Sequence, residues 1–327
     1  MTNLSEDASA KPVALVTPSH SKDIERFALL CESIDQLVHS YEWHYVIVND
    51  DDMAVFAKFN RQRRVVLPSS QLLPRWLKPI PPFLSRKGRR LWWSFRSPPV
   101  HGWHVQQILK IAAASRLPEQ RFCFIDSDNV FVRPFDMGSY AGGEHTPLYV
   151  DRATIVADSP MHATWVRNCD RLLGQPGATT FPADDFIGNV IFWDKYTARD
   201  MTATIERATG MDWALALCKT RAFSEYLLYG QFVRMMPRHG ASHQIGTESL
   251  ANAYWDGAPL DRAGITALID GMTERQVALC IESFSGTPVT TIRDAVGLSE
   301  RRAGTIRPGS AAIPARERPD VQLYQRR

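Results

Sequence analysis

Three short apolar runs, each closing on polar or acidic residues, constrain this chain most. Val13 to Val16 ends in Thr17-Pro18, Tyr45 to Val48 ends in Asn49-Asp50-Asp51-Asp52, and Phe122 to Ile125 ends in Asp126-Ser127-Asp128. Runs of four apolar residues without polar alternation predict strands buried on both faces, as in a parallel sheet covered by helices. The segments between them fit that reading. Phe27, Leu30, Cys31, Ile34 and Leu37 recur at helical spacing, so Asp23 to His39 reads as an amphipathic helix. Ala54 to Phe59 reads as a short helix and Arg64 to Leu67 as a third strand. The resulting β-α-β-α-β order predicts an α/β fold with a mostly parallel, Rossmann-like sheet. In such sheets ligands collect at the carboxyl ends of the strands, where these polar residues stand.

Further along, helical spacing returns at Val105, Ile108, Leu109 and Ala112. Strands are expected at Tyr149 to Val156 and Val190 to Trp193, and helices at Ala198 to Ala208 and Ser224 to Met235. The expected organisation is a flexible N-terminus over 1–12, one folded domain over 13–298 and a disordered tail over 299–327. That tail is rich in Arg, Pro, Gly and Ala and poor in large apolar residues. No apolar run approaches the ~18–20 residues that a membrane-spanning helix needs. The first residues carry no signal-peptide pattern. The five cysteines are scattered and odd in number, which fits buried thiols in a reducing cytosol better than disulfides or a zinc site.

The formal net charge of +3 hides an uneven distribution. Between Asp52 and Glu119 there is no acidic residue, while thirteen lysines and arginines fall there. Within that stretch, 68–100 breaks the strand–helix alternation and reads as a basic aromatic insertion. Its core, Arg75 to Arg96, carries Trp76, Phe83, Trp92, Trp93 and Phe95 among seven basic residues. One reading is an interfacial lobe that sets aromatic rings at headgroup level against anionic lipid. The other is a solvated insertion whose aromatics pack on the domain. No nucleic-acid motif accompanies the charge, so nucleic acid is not an expected partner.

Asp126-Ser127-Asp128 carries the chemistry. An Asp-x-Asp alone means little, but this one leaves a buried strand at its carboxyl end. Two carboxylates held that close repel one another unless a cation lies between them. Hard oxygen donors suit Mg²⁺ or Mn²⁺, ions that also bind diphosphate. A solvated turn with capping aspartates is the bland alternative.

The stretch Phe-Ile-Asp-Ser-Asp-Asn-Val-Phe-Val-Arg-Pro-Phe, Phe124 to Phe135, resembles the metal-binding strand and turn of GT-A type nucleotide-sugar glycosyltransferases, closest to a mostly uncharacterised bacterial group. Val16 to His20, Val48 to Asp51, Gln106 to Lys110 and Phe223 to Gly230 follow the same pattern in the same order. The resemblance covers roughly Val13 to Gly297. It implies metal-dependent sugar transfer from a donor such as a UDP-sugar or GDP-sugar to a glycan or lipid-linked acceptor. By the same resemblance, Thr17, Pro18, His20, Asp50, Gln107, Lys110 and Asp126 would bind the donor. Asp126, Asp128 and a late histidine, His243, would hold the metal. Glu225, at a helix start, would take the acceptor proton, with Asp185 facing donor sugar or acceptor. Plainer roles are a solvent-facing helix lysine for Lys110, a helix cap for Ser224-Glu225, a surface site for His243 and a loop site for Asp184-Asp185. The resemblance implies a cytoplasmic enzyme of glycan synthesis, peripheral on the inner membrane if the lobe meets lipid.

Two other functions compete with this one. A sugar-nucleotide pyrophosphorylase needs a glycine-rich loop after the first strand. Thr17-Pro18-Ser19-His20-Ser21-Lys22 has no glycine. A non-catalytic glycan- or membrane-binding relative would have no need of both Asp126 and Asp128.

Overall fold

The computed structural model describes residues 11–81 and 90–298. The expected N-terminal segment, except for its last two residues, and the expected tail lie outside the described residues. So do Phe83, Arg86, Lys87 and Arg89 of the basic stretch. The architecture is mixed α/β with a parallel-rich central sheet. Its strands are β1 (Val13–Pro18), β2 (His44–Val48), β3 (Arg64–Pro68), β4 (Arg121–Phe124) and, after the short β5 (Asn129–Phe131), β6 (Ile191–Asp194). The order across the sheet is β6-β4-β1-β2-β3. β1 runs parallel to β2 and β4, β2 runs parallel to β3, and β6 alone is antiparallel, against β4.

Both faces of this sheet are covered, which is why its strands read as unbroken apolar runs. Ala14, Val16, Tyr45, Ile47, Phe122 and Phe124 face one core, and Val13, Leu15, Val46, Val48, Cys123 and Ile125 face the other. The first core is roofed by α2 (Gly102–Arg116), whose Val105, Ile108, Leu109 and Ala112 point inward, and by α3 (Glu225–Met235). α1 (Ile24–Leu37) roofs the second core with Phe27, Leu30, Ile34 and Leu37. A small sheet joins this face: β8 (Ala278–Ile281) pairs antiparallel with β5 and parallel with β7 (Ala251–Tyr254).

This topology sets Pro18-Ser19, Asn49-Asp50, Ser69-Ser70 and Asp126 along one edge. The chain order reverses between β1 and β4, a switch point of the kind that opens a crevice. Because β6 runs the other way, Asn189 at its start also reaches that edge, where Asn129 donates to it at 3.3 Å.

The described parts of the basic stretch fold back on the domain. Lys78–Pro79, Leu91–Trp93 and Val100–His101 form a three-stranded sheet. Trp92 is only 4% exposed and belongs to the first core, packed beside Gly102 at the start of α2. Trp92 is therefore a packing residue rather than an interfacial anchor. Several of the unopposed cations also find partners elsewhere in the chain. Arg64 pairs with Asp35 at 2.5 Å, and both guanidinium nitrogens of Arg90 grip Asp52 at 2.8 and 2.9 Å. Burial works to raise the Asp52 carboxyl, but Arg90 and the Ser21 donors outweigh it and hold it below the usual carboxylate range.

Candidate active site

Lys110 is the hub of one half of the site. It is 3% exposed, and its ammonium lies 3.1 Å from Asp126, 3.0 Å from Glu225 and 2.8 Å from the Tyr226 hydroxyl. Burial opposes its charge. The surrounding Asp126, Tyr226 and Glu225 prevail and hold its pKa well above the ordinary lysine value. Gln106 donates to Asp126 at 3.3 Å, and Gln107 accepts the backbone N–H of Glu225 at 3.2 Å. These contacts follow from helix geometry: positions 106, 107 and 110 lie on one side of α2, facing the carboxyl end of β4 and the start of α3.

Glu225 opens α3 as expected, with Ser224 capping the helix by accepting from the Leu227 N–H at 3.5 Å. The glutamate itself is 4% exposed and lies beneath Lys110. Burial raises its carboxyl despite the adjacent ammonium. A carboxylate so enclosed serves Lys110 as a counterion.

Asp128 belongs to the other half. Its carboxylate comes within 4.8 Å of ligand atoms from Cys280 and Glu282, which close β8. The strand register brings them there: Cys280 lies opposite Asn129, and Ile281 donates its N–H to the Asp128 carbonyl at 3.1 Å. Burial, then Glu282 and Asp126, push the Asp128 carboxyl up to about 8. Burial also raises Glu282. No lysine or arginine pairs with either carboxylate among the described residues. This donor set fits a divalent ion: two carboxylates supply hard oxygens, and each is strained toward protonation when no positive charge is beside it. Glu282 was not anticipated from sequence. Its signal was present, since Ala278-Leu279-Cys280-Ile281-Glu282 is another apolar run ending in an acid.

The remaining expected residues divide. His20 stands at the edge and contacts Asp23 at 3.1 Å, while Ser19 accepts from Ser127 at 2.8 Å. Asp50 holds the β3 end by accepting from the Ser70 N–H at 3.2 Å and from both serine hydroxyls, Ser69 at 3.3 Å and Ser70 more closely. Pro18 ends β1 beside them. Thr17 is fully buried with its hydroxyl 3.0 Å from His44, so its side chain does not face the edge. His243 is not brought to the aspartates. It lies in the His243–Gly246 strand, bonded to the Tyr229 hydroxyl at 2.9 Å, and Tyr229 in turn binds the N–H of Asp194. Asp194 pairs with Arg121 at the start of β4, the end opposite to Asp126.

Asp184 and Asp185 lie in a strand, Ala183–Asp185, rather than a plain loop. Asp184 accepts from the Ala153 N–H and pairs with Arg234 at 3.3 Å. Asp185 accepts from the Ile187 N–H at 2.9 Å and lies opposite Asp151. Burial raises its carboxyl, while the Ile187 and Phe186 amides and nearby His162 pull it back.

Among the described residues no helix is long and apolar enough to cross a membrane. No curated protein matches the chain. Among solved structures it is similar to the apo form of the glycosyltransferase GlyE from Streptococcus pneumoniae TIGR4. The identity is 8% and the TM-score 0.43, over 89% of this chain and 63% of that one. The chain thus spans under two thirds of that protein. The model of a family of unknown function, DUF6492, matches residues 10–276, and the chain belongs to that family.

Proposed function

We propose that this protein transfers a sugar from a nucleotide-sugar donor, such as a UDP-sugar or GDP-sugar, to a glycan or lipid-linked acceptor with the help of Mn²⁺ or Mg²⁺. The observation that carries the reading is the carboxylate pair Asp128–Glu282, with no lysine or arginine at ion-pair distance among the described residues, beside Asp126 at the carboxyl end of a parallel sheet. A bound divalent ion would neutralise the diphosphate leaving group, so that no general acid is needed. Asp128 and Glu282 would hold that ion, with Asp126 oriented by Lys110 and Gln106. Ser19, His20, Asp50 and Ser70 line the part of the edge where the nucleoside would lie. Glu225 keeps Lys110 in place rather than moving a proton. Asp185, half-buried and with a raised carboxyl, is the better group to receive the acceptor proton.

The exposed tip of the basic lobe supports a lipid-linked acceptor. Phe95 is 96% exposed and packs edge-on against Trp93, an aromatic pair suited to a membrane interface on the cytoplasmic side. The decisive measurement is nucleotide-sugar hydrolysis across a donor panel, with Mn²⁺ and with chelator. Turnover of one donor that chelator abolishes is the expected result. Absence of hydrolysis and of metal-dependent nucleotide binding across the panel refutes the function.

A further inference from the structure

Trp103 continues the site stripe of α2 outward. Positions 103, 106, 107 and 110 share one helix face, and Trp103 lies one turn beyond Gln106, which touches Asp126. Helical side chains lean toward the helix N-terminus, so this indole projects past the carboxylates toward the rim. It is 53% exposed, yet it is not a loose surface ring. It packs at 5.6 Å and 33° on Trp165, which is buried, and Trp165 is held edge-on by His162 at 5.0 Å. His162 lies within electrostatic reach of Asp185, and Asp185 lies opposite Asp151. Among the described residues neither of these two carboxylates is paired with lysine or arginine.

An exposed aromatic plane held rigid from behind offers a ligand an apolar face and no charge. A neutral sugar ring can set its C–H face on such an indole, whereas a diphosphate gains nothing from it. We propose that Trp103, backed by Trp165, seats a sugar ring of the acceptor. The assignment of that ring as acceptor rests on the transferase reading above. The seat itself is a glycan-binding site that can be tested alone.

The test uses the full chain labelled with 5-fluorotryptophan and followed by fluorine NMR. Chitotetraose, cellotetraose and UDP with Mn²⁺ are the probes, and Trp103→Ala identifies the Trp103 signal. The expected result is a shift of that signal with at least one oligosaccharide. Trp103→Ala, which removes a half-exposed side chain and leaves Trp165 in place, should weaken that oligosaccharide about tenfold or more. Trp103→Phe should stay within about threefold of wild type, because an aromatic face remains. UDP affinity should be unchanged in both variants. A Trp103 signal that moves with neither oligosaccharide overturns the proposal. So does a Trp103→Ala variant that binds oligosaccharide as well as wild type, or one that loses UDP instead. Failure of UDP and Mn²⁺ to bind wild type would sink the donor reading while leaving the oligosaccharide measurement intact.

Discussion

Asp126 and Asp128 leave the same strand two residues apart, and their surroundings are opposite. Asp126 faces α2 and meets a buried ammonium and an amide donor. Asp128 faces β8 and meets a glutamate and a thiol. On the first side the charge is compensated within the chain, so removing the cation should damage the fold. On the second side like charges are left together, so removing one should damage only binding. The difference sets a carboxylate answered by a buried cation against one with no cation at ion-pair distance among the described residues, within a single tripeptide.

The sharpest way to break this comparison is at Lys110. Lys110→Met leaves Glu225 buried beside no cation, which should cost about 3–5 kcal/mol of stability. Adding Glu225→Gln should restore much of the loss in denaturant unfolding. A stable Lys110→Met single variant would mean that the network is not structural. On the other side, Asp128→Ala or Glu282→Gln should weaken Mn²⁺-dependent nucleotide binding by about 100-fold or more, read by calorimetry. Unaltered Mn²⁺ binding in both would remove the metal assignment.

The pH dependence has a defined direction. The Asp128 carboxyl is raised to about 8, so below that pH a proton competes with the ion. Mn²⁺ affinity should rise about tenfold per pH unit toward 8 and level off above it. For the metal-free fold the sign is reversed. Folded Asp128 keeps a proton that the unfolded chain has released above the ordinary aspartate value of about 4, so this group's stabilisation is full below that value. It is lost as pH rises through about 8. Asp128→Asn should therefore unfold about 2–4 °C higher than wild type at neutral pH without metal, by differential scanning fluorimetry. A lower unfolding temperature would contradict the like-charge picture.

The smallest effect lies on the lobe. Phe95→Ala should change stability by less than about 0.5 kcal/mol, since the ring is solvent-exposed. It should nevertheless reduce sedimentation with vesicles containing anionic lipid. Wild-type protein that stays in the supernatant at low salt would make the lobe a packing element throughout.

What could be read from the chain follows from how local each signal is. The central strands were legible because both sheet faces are buried and the runs are continuous. The antiparallel β6 was also found as a strand, from Val190 to Trp193, although no periodicity reveals its direction. Glu282 escaped because Ala278 to Ile281 contains a single β-branched residue and no aromatic, a weak strand signal. Its partnership with Asp128 depends on a pairing with β5 across the sequence. His243 was expected at the metal from its place after α3, but the pairing of its strand with Thr146–Tyr149 carries it to the other end of the sheet. For Trp92 the sequence leaves both an interfacial and a packed reading open, and the packing beside Gly102 makes it core.

The pairing of β5 with β8 also fixes when the site can exist during synthesis. Asp128 and Glu282 are 154 positions apart. At about 5–20 residues per second, the second carboxylate leaves the ribosome roughly 8–30 s after the first. A nascent chain therefore carries Asp126 and Asp128 without Glu282 for nearly half of its production. Any ion that the finished protein retains is acquired after β8 docks, so possession of the ion reports that nearly the whole domain has closed.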